Sequence, residues 1–319
     1  MTKREVAPDL WMLAGAFAFA VMGACTHALG SRCDWLIVAL VRAAFMFTAT
    51  ASLATAAGVR LMVWRPRTLW IRSLAGSFSL VCNFFALSRL PVADALTLSN
   101  TYPLWIVLMG ALLLRQRPST TEVCGVVSGL VGVALIQRPH LGGSGDGFAT
   151  TVALVSSVST AVALLGLHRL RHLDTRAVVA HFAGVATLVS LAWLATRPQI
   201  LTPALLRPTT LLLLSGVAVS GTIGQFCLTR AYATGTPARM SVIGLTQVVF
   251  AIGFDVVLWH RSLTPPILVG FALVLAPTAW LSGRARRRIA RDNRPEATPR
   301  ETLPTPQPAE PGASVATRG

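Results

Sequence analysis

The sequence predicts an all-α integral membrane protein with ten transmembrane helices arranged as two inverted five-helix repeats, and three observations carry that expectation. Composition is the first: of 319 residues 53% are apolar and only 13% charged, with a mean hydropathy of +0.62, whereas an ordinary soluble domain carries about 25% charge. The second is a series of apolar stretches at 10–30, 34–57, 69–88, 93–114, 119–137, 148–167, 177–196, 209–229, 238–259 and 265–282. Each can cross a hydrocarbon core about 30 Å thick at about 1.5 Å per helical residue. The third is the placement of charge. With both termini in the cytoplasm, 17 basic residues fall on inside segments, from Lys3 and Arg4 to the cluster Arg284–Arg291, against six outside: Arg32, Arg89, Arg138, Arg197, Arg207 and Arg261. That is the positive-inside pattern, so the net charge of +16 is a topology signal. No nucleic-acid partner is expected, because the basic residues lie between apolar spans and not on one folded face.

Taken in order, the first span follows Lys3-Arg4 as a secretory signal would, but nine further spans make it the first membrane helix. The second carries Arg42, and the fourth carries Pro103 ahead of Trp105. That proline frees a carbonyl, giving either a hinge with a stacking surface or a mild kink beside a lipid-facing ring. In the fifth, Gly125-x-x-x-Gly129 is a small-residue packing motif that can join two helices of one chain or two protomers, so intramolecular packing and a homodimer both stand. The glycine-rich stretch 141–147 follows no strand and precedes no lysine, which makes it a linker and not a phosphate loop. The eighth and ninth spans carry small and polar stripes, Ser215, Ala218, Thr222, Gln225 and Thr229, then Ser241, Gly244, Val248, Ala251 and Asp255. Such stripes line a wet cavity or let helices approach closely. Trp11, Trp35, Trp70 and Trp259 lie at span ends as interfacial anchors. The expected organisation is a cytoplasmic N-terminus over 1–9, a first repeat over 10–140, the linker, a second repeat over 148–283, and a tail over 284–319 that is basic and then proline-rich and disordered.

Shifting the first half by 145 residues lays Ala86 on Ala231, Ala93 on Ala238, Ser119 on Thr264 and Gly125 on Gly270. Five crossings per half is an odd number, so the second copy enters the membrane upside down. Inverted repeats characterise secondary transporters, whose site lies between the halves near mid-membrane.

The run from Asn83-Phe84-Phe85-Ala86 through Ala93-Asp94-Ala95, then Tyr102-Pro103-Leu104 and Gly125-x-x-x-Gly129-x-x-Gly132, resembles the first EamA-type repeat of the drug/metabolite transporter superfamily. Gly224-Gln225-Phe226 through Tyr232-Ala233, followed by Gln247-Val248-Val249-Phe250, is its counterpart, and Arg42 matches an arginine often found in such repeats. The resemblance covers residues 10 to 283 and implies helices one to four and six to nine around a central cavity, with five and ten at the periphery. Such repeats often place a glutamate where the fourth and ninth spans leave the membrane, whereas this chain has Arg115-Gln116 and His260-Arg261.

Ionisable groups in a span are costly and therefore functional candidates. Arg42 lies about 12 Å deep from the outer end of span two, and Asp255 in the outer part of span nine either pairs with it, directly or through water, or stands apart from it. His27 could relay a coupling proton or simply be hydrated near the outer end of span one. Asn83, Asn100 and Tyr102 lie in outer halves of their spans and, with Arg42 and Asp255, would form a polar outer vestibule. Thr222, Gln225 and Gln247 complete the set of pathway candidates, each serving as interhelical glue or as a ligand contact.

Enzymatic motifs are lacking: there is no H-E-x-x-H zinc site, no G-x-S-x-G elbow, and Lys3 is the only lysine, so neither a phosphate-loop lysine nor a Schiff base is available in the core. No cofactor and no metal is expected, and the five cysteines, odd in number, show no C-x-x-C pairing. The reading is a secondary transporter, gradient-driven or exchanging, that exports a small-molecule metabolite or drug; the alternative is a flippase for a lipid or lipid-linked precursor. An excess of arginine over the single lysine fits a GC-rich bacterial genome and hence a bacterial cytoplasmic membrane.

Overall fold

The computed structural model describes residues 8–61, 64–90, 92–113, 115, 118–138, 147–196 and 203–292. Within them the regular structure is helical: α1 Pro8–Leu29, α2 Trp35–Ala56, α3 Arg67–Arg89, α4 Val92–Ser99, α5 Tyr102–Leu113, α6 Thr120–Gln137, α7 Gly147–Arg169, α8 Thr175–Ala195, α9 Pro208–Thr234, α10 Pro237–Gly244, α11 Thr246–Trp259 and α12 Pro265–Asp292. Among the described residues nine stretches are long and apolar enough to cross a membrane, with α4 and α5 together making one and α10 and α11 another. Helix α3 has the length, but Arg72, Asn83 and four serines leave it more polar than the rest. It is sheltered instead by α7 and α8.

Local chemistry sets the helix starts. Asp34 accepts from Leu36 N–H at 2.8 Å and Asp174 from Arg176 N–H at 2.7 Å, starting α2 and α8 as N-caps. Ser119 and Glu122 form a reciprocal capping box on α6. Proline at the first turn opens α9 and α10.

Three expectations are corrected here. The fourth and ninth spans are each two helices, because Pro103 belongs to the first turn of α5 and the chain turns at Asn100–Thr101, while Leu245 separates α10 from α11. Helix α7 begins at Gly147, so the last linker residue is helical, and the remainder of the linker lies outside the described residues. The last helix continues through the arginine cluster to Asp292; the proline-rich tail after it lies outside the described residues.

Over residues 8–282, three antiparallel pairs build the bundle: α1 with α9, α2 with α8, and α3 with α7. The first is drawn together by small residues. A methyl on Gly15 would stand 3.3 Å from the Gly224 carbonyl, one on Gly224 2.9 Å from the Phe19 ring, and one on Gly216 3.0 Å from Cys25 Sγ. Gly125 and Gly129 also face inward, toward Pro277 and Leu281 and toward Leu245. Gly132 meets the Gly270 carbonyl of α12 itself. Without a hydrophobic force between helices in lipid, such close approach supplies the packing energy. The glycine face of α6 is therefore occupied within the chain.

Buried side chains are unevenly distributed. One cluster joins α1, α3, α5, α7, α8, α9 and α10 at the end of the bundle where α1 begins, here termed the N-end, through Met12, Leu69, Ile106, Leu167, Tyr232 and Met240. Toward the opposite end the buried clusters are smaller, such as Ala43, Met46 and Phe182 between α2 and α8, or Ala86, Ala95 and Ala149 among α3, α4 and α7.

The backbone contact gives a direct test. At Gly132 a Cβ would stand 2.8 Å from a carbonyl that cannot yield, whereas at Gly125 its neighbours are side chains at 3.4 and 3.5 Å. Gly132→Ala is expected to cost about 1–3 kcal/mol of stability and Gly125→Ala less than about 1 kcal/mol, read as melting shifts of the purified protein in detergent.

Candidate functional site: a polar pathway at two broken helices

Breaking a helix inside hydrocarbon frees backbone groups that have no water to turn to. Both breaks are closed by the same device. Thr101 Oγ donates to the Leu98 carbonyl at 2.6 Å, and Thr246 Oγ donates to the Ile243 carbonyl at 2.7 Å. Asn100 adds an amide donor to the Leu96 carbonyl at 2.8 Å. Helices α4 and α10 are both eight residues long, and each break follows its short segment directly. The threonines were not among the expected site residues, although they stand in register under the 145-residue shift that aligned the halves.

The two breaks meet. The hydroxyl of Tyr102, first residue of α5, lies against Gly244, last residue of α10, where a methyl group would stand 2.8 Å from it and equally close to Met12. Tyr232 of α9 is buried in the adjoining cluster with its hydroxyl unpartnered among the described residues. From this centre a chain of polar contacts crosses to α7: Thr101 Oγ to Ser157 Oγ at 3.0 Å and Trp105 Nε1 to the same oxygen at 2.9 Å. Asn83 of α3 donates to Ser99 Oγ at 3.1 Å at the end of α4. Asn83, Asn100 and Tyr102 therefore gather at the first break, and Trp105 is tied to α7 by its indole nitrogen.

Arg42 is half-buried, its side chain against Gly221 of α9 and its guanidinium over the Phe19 ring at 5.7 Å. Its Nε is covered and has no partner among the described residues. An Arg42–Asp255 pair is not formed. Asp255 bonds Arg261 at 3.1 Å, with both side chains about one-third exposed. The reason is local: α11 ends with His260 in the left-handed region at φ 53°, and the chain folds back so that the Arg261 N–H also reaches the Asp255 carbonyl. His27 is exposed at the far end of α1, its ring edge-on to Trp259 at 4.5 Å. Thr222 is back-bonded to the Ala218 carbonyl at 2.7 Å, Gln225 is buried on α9, and Gln247 is exposed in the first turn of α11.

The N-end is closed by a contact absent from the expected set. Asp9, 2% exposed, pairs with Arg239 of α10. Nearby, Thr236 donates to Glu122 at 3.2 Å beside a cavity of about 290 Å³ among α5, α6 and α10. Asp9 precedes the first apolar stretch and Arg239 counts as an inside charge, so sequence position alone marks neither as buried.

Comparisons with known proteins identify the family and the fold. Residues 7–138 and again 143–283 match the EamA-like transporter family. The pseudopaline exporter CntI of Pseudomonas aeruginosa is 29% identical over 271 residues, 84% of this chain and 93% of that protein. The aromatic amino acid exporter YddG of Ancylobacter novellus is 31% identical over 126 residues, 38% of this chain and 44% of that protein. A crystal structure with 20% identity covers 88% of this chain and 98% of its own at a TM-score of 0.77, a likeness of fold.

The two ion pairs differ in burial, and their loss should differ accordingly. Asp9→Asn or Arg239→Gln leaves the partner's charge uncompensated and is expected to cost about 3–5 kcal/mol, with the double variant costing less than the sum. Asp255→Asn at the exposed pair is expected to cost no more than about 1 kcal/mol. Melting of the variants in detergent measures both.

Proposed function

Since the chain belongs to the EamA-like transporter family, whose members are transporters and not enzymes, we propose that it is a secondary transporter exporting small organic solutes across a bacterial cytoplasmic membrane by alternating access. The observation that carries the reading is the meeting of the two broken helices, Tyr102 at the head of α5 against Gly244 at the foot of α10. Interrupted helices at corresponding places in two halves mark the substrate site of inverted-repeat transporters.

The repeat itself is part of the proposal. Helices α4 and α10 begin at residues 92 and 237, and α6 and α12 at 120 and 265, the same interval in both cases. Ser128 donates to the carbonyl of Leu273 at 2.9 Å, a separation of 145 residues. A residue that touches its own counterpart stands on the axis relating the two copies. Five helices per copy give ten crossings and put both termini on one side, which the bias of basic residues makes the cytoplasmic side.

In this reading the conformation is sealed at the cytoplasmic N-end by Asp9–Arg239 and the cluster around Tyr232, and accessible from the other side at Arg42. Loading a solute from the cytoplasm requires that seal to open. The names of two relatives, both exporters, support the outward direction.

Cells expressing the full chain are expected to accumulate one or more organic solutes in the medium, identified by untargeted mass spectrometry against cells lacking it. Thr101→Val with Thr246→Val, which removes both hydroxyl closures while preserving side-chain shape, is expected to lower that export about tenfold at equal membrane abundance. This corresponds to roughly 1.4 kcal/mol on the rate-limiting barrier. Unchanged solute profiles with and without the chain would refute the transporter reading.

A further inference from the structure

Among the described residues up to 284, each carboxylate has a partner. Asp9 is held by Arg239, Asp255 by Arg261, Glu122 by its capping box, Asp34 and Asp174 by the helix starts they cap, and Asp94 is also engaged. The arginines do not balance them. Arg72, in the second turn of α3, is 3% exposed, and its Nε and Nη1 have no partner among the described residues. Its guanidinium lies over the Phe182 ring at 3.9 Å, and its stem packs where a Cβ on Gly166 would stand 3.0 Å away. Stacking on an aromatic face offsets part of the desolvation of a cation but supplies no acceptor to Nε and Nη1. Ser77 Oγ, one turn further along α3, is likewise buried and unpartnered.

Arg42 repeats the arrangement on α2: a guanidinium beside an aromatic ring, a covered Nε without a partner, and a glycine opposite. The two differ in place. Arg72 is the sixth residue of α3 from the N-end, inside the sealed half, whereas Arg42 is the eighth residue of α2 from the opposite end and half-accessible. A buried cation in a membrane-spanning helix without an acidic partner is costly, and such a group marks a substrate or ion pathway by default.

We propose that the transported solute carries a carboxylate, with Arg72 as its counter-charge on the cytoplasmic, loading side and Arg42 as its counter-charge on the releasing side. This rests on the alternating-access exporter reading. Each guanidinium is single and walled by one phenylalanine, which suits a planar carboxylate on an apolar body. A dianionic phosphate would call for several donors converging on it. Asp255, which would otherwise argue for a cationic solute, is satisfied by Arg261.

The test uses the purified full chain in proteoliposomes and a matched set of probes: phenylalanine, phenylacetate, phenylalaninamide, phenethylamine and phenyl phosphate, each assayed for exchange against itself. The acids are expected to exchange at least tenfold more efficiently than the amide and the amine. Arg72→Gln and Arg42→Gln are each expected to weaken the acids' apparent affinity about 10- to 100-fold. The corresponding lysine variants should restore most of it, a rescue that a purely structural role would not give. The acid–amide comparison on the unmodified chain holds even if a variant fails to fold. Preference for the amide, the amine or phenyl phosphate overturns the inference, as does acid exchange that both glutamine variants leave unchanged. If no probe exchanges while cells still export a solute, the inference falls and the transporter reading stands; if cellular export is absent too, both fall.

Discussion

Backbone hydrogen bonding in hydrocarbon is the constraint on which the rest of this structure depends. Each uninterrupted helix satisfies it internally, which is why the described residues form helices and short turns. At each interruption a threonine hydroxyl adds a donor to a carbonyl, at Leu98 and at Ile243, that a backbone N–H of the turn also reaches. With the carbonyls closed, the chain can place Tyr102, Asn100 and Gly244 at the centre of the bundle. An unbroken helix would bury those positions along its own wall.

Small residues set the geometry around that centre. Gly15 and Gly224 bring α1 and α9 into backbone contact, and Gly132 with Gly270 does the same for α6 and α12. Where glycine appears the partner's bulk advances: Phe19 against Gly224, Phe182 against Gly76, Phe47 against Gly184. Close packing is also what positions the cations, since Arg42 lies over Gly221 and Arg72 over Gly166. The same glycines that let helices touch make room for guanidinium groups between them.

Charge is used in two ways. At the N-end a buried acid and base are joined across α1 and α10, a contact that is strong while both partners are present and costly when either is alone. On α2 and α3, Arg42 and Arg72 make no ion pair among the described residues. One end thus carries a matched buried pair, whereas Arg42 and Arg72 have nitrogens without a hydrogen-bond partner among the described residues.

Fold class and the apolar helical stretches were legible in the sequence because they follow from local quantities. Hydropathy over about 20 residues decides where a helix can cross, and Pro103 announced that the fourth span would not be regular. Asn83, Asn100 and Tyr102 could be named for the same reason, as polar side chains inside apolar spans. Pairing was not legible. Asp255 could have met Arg42, but six residues of backbone bring Arg261 to it first. Asp9 and Arg72 were not singled out, since one precedes the first apolar stretch and the other is the fourth residue of the third, and only the approach of α10, α7 and α8 buries them. The sequence by itself determined that this chain is a bundle of membrane-crossing helices. Which charges are matched and which are left open was decided by the tertiary structure, because a side chain's partner depends on the helix that packs against it and not on its neighbours in the chain.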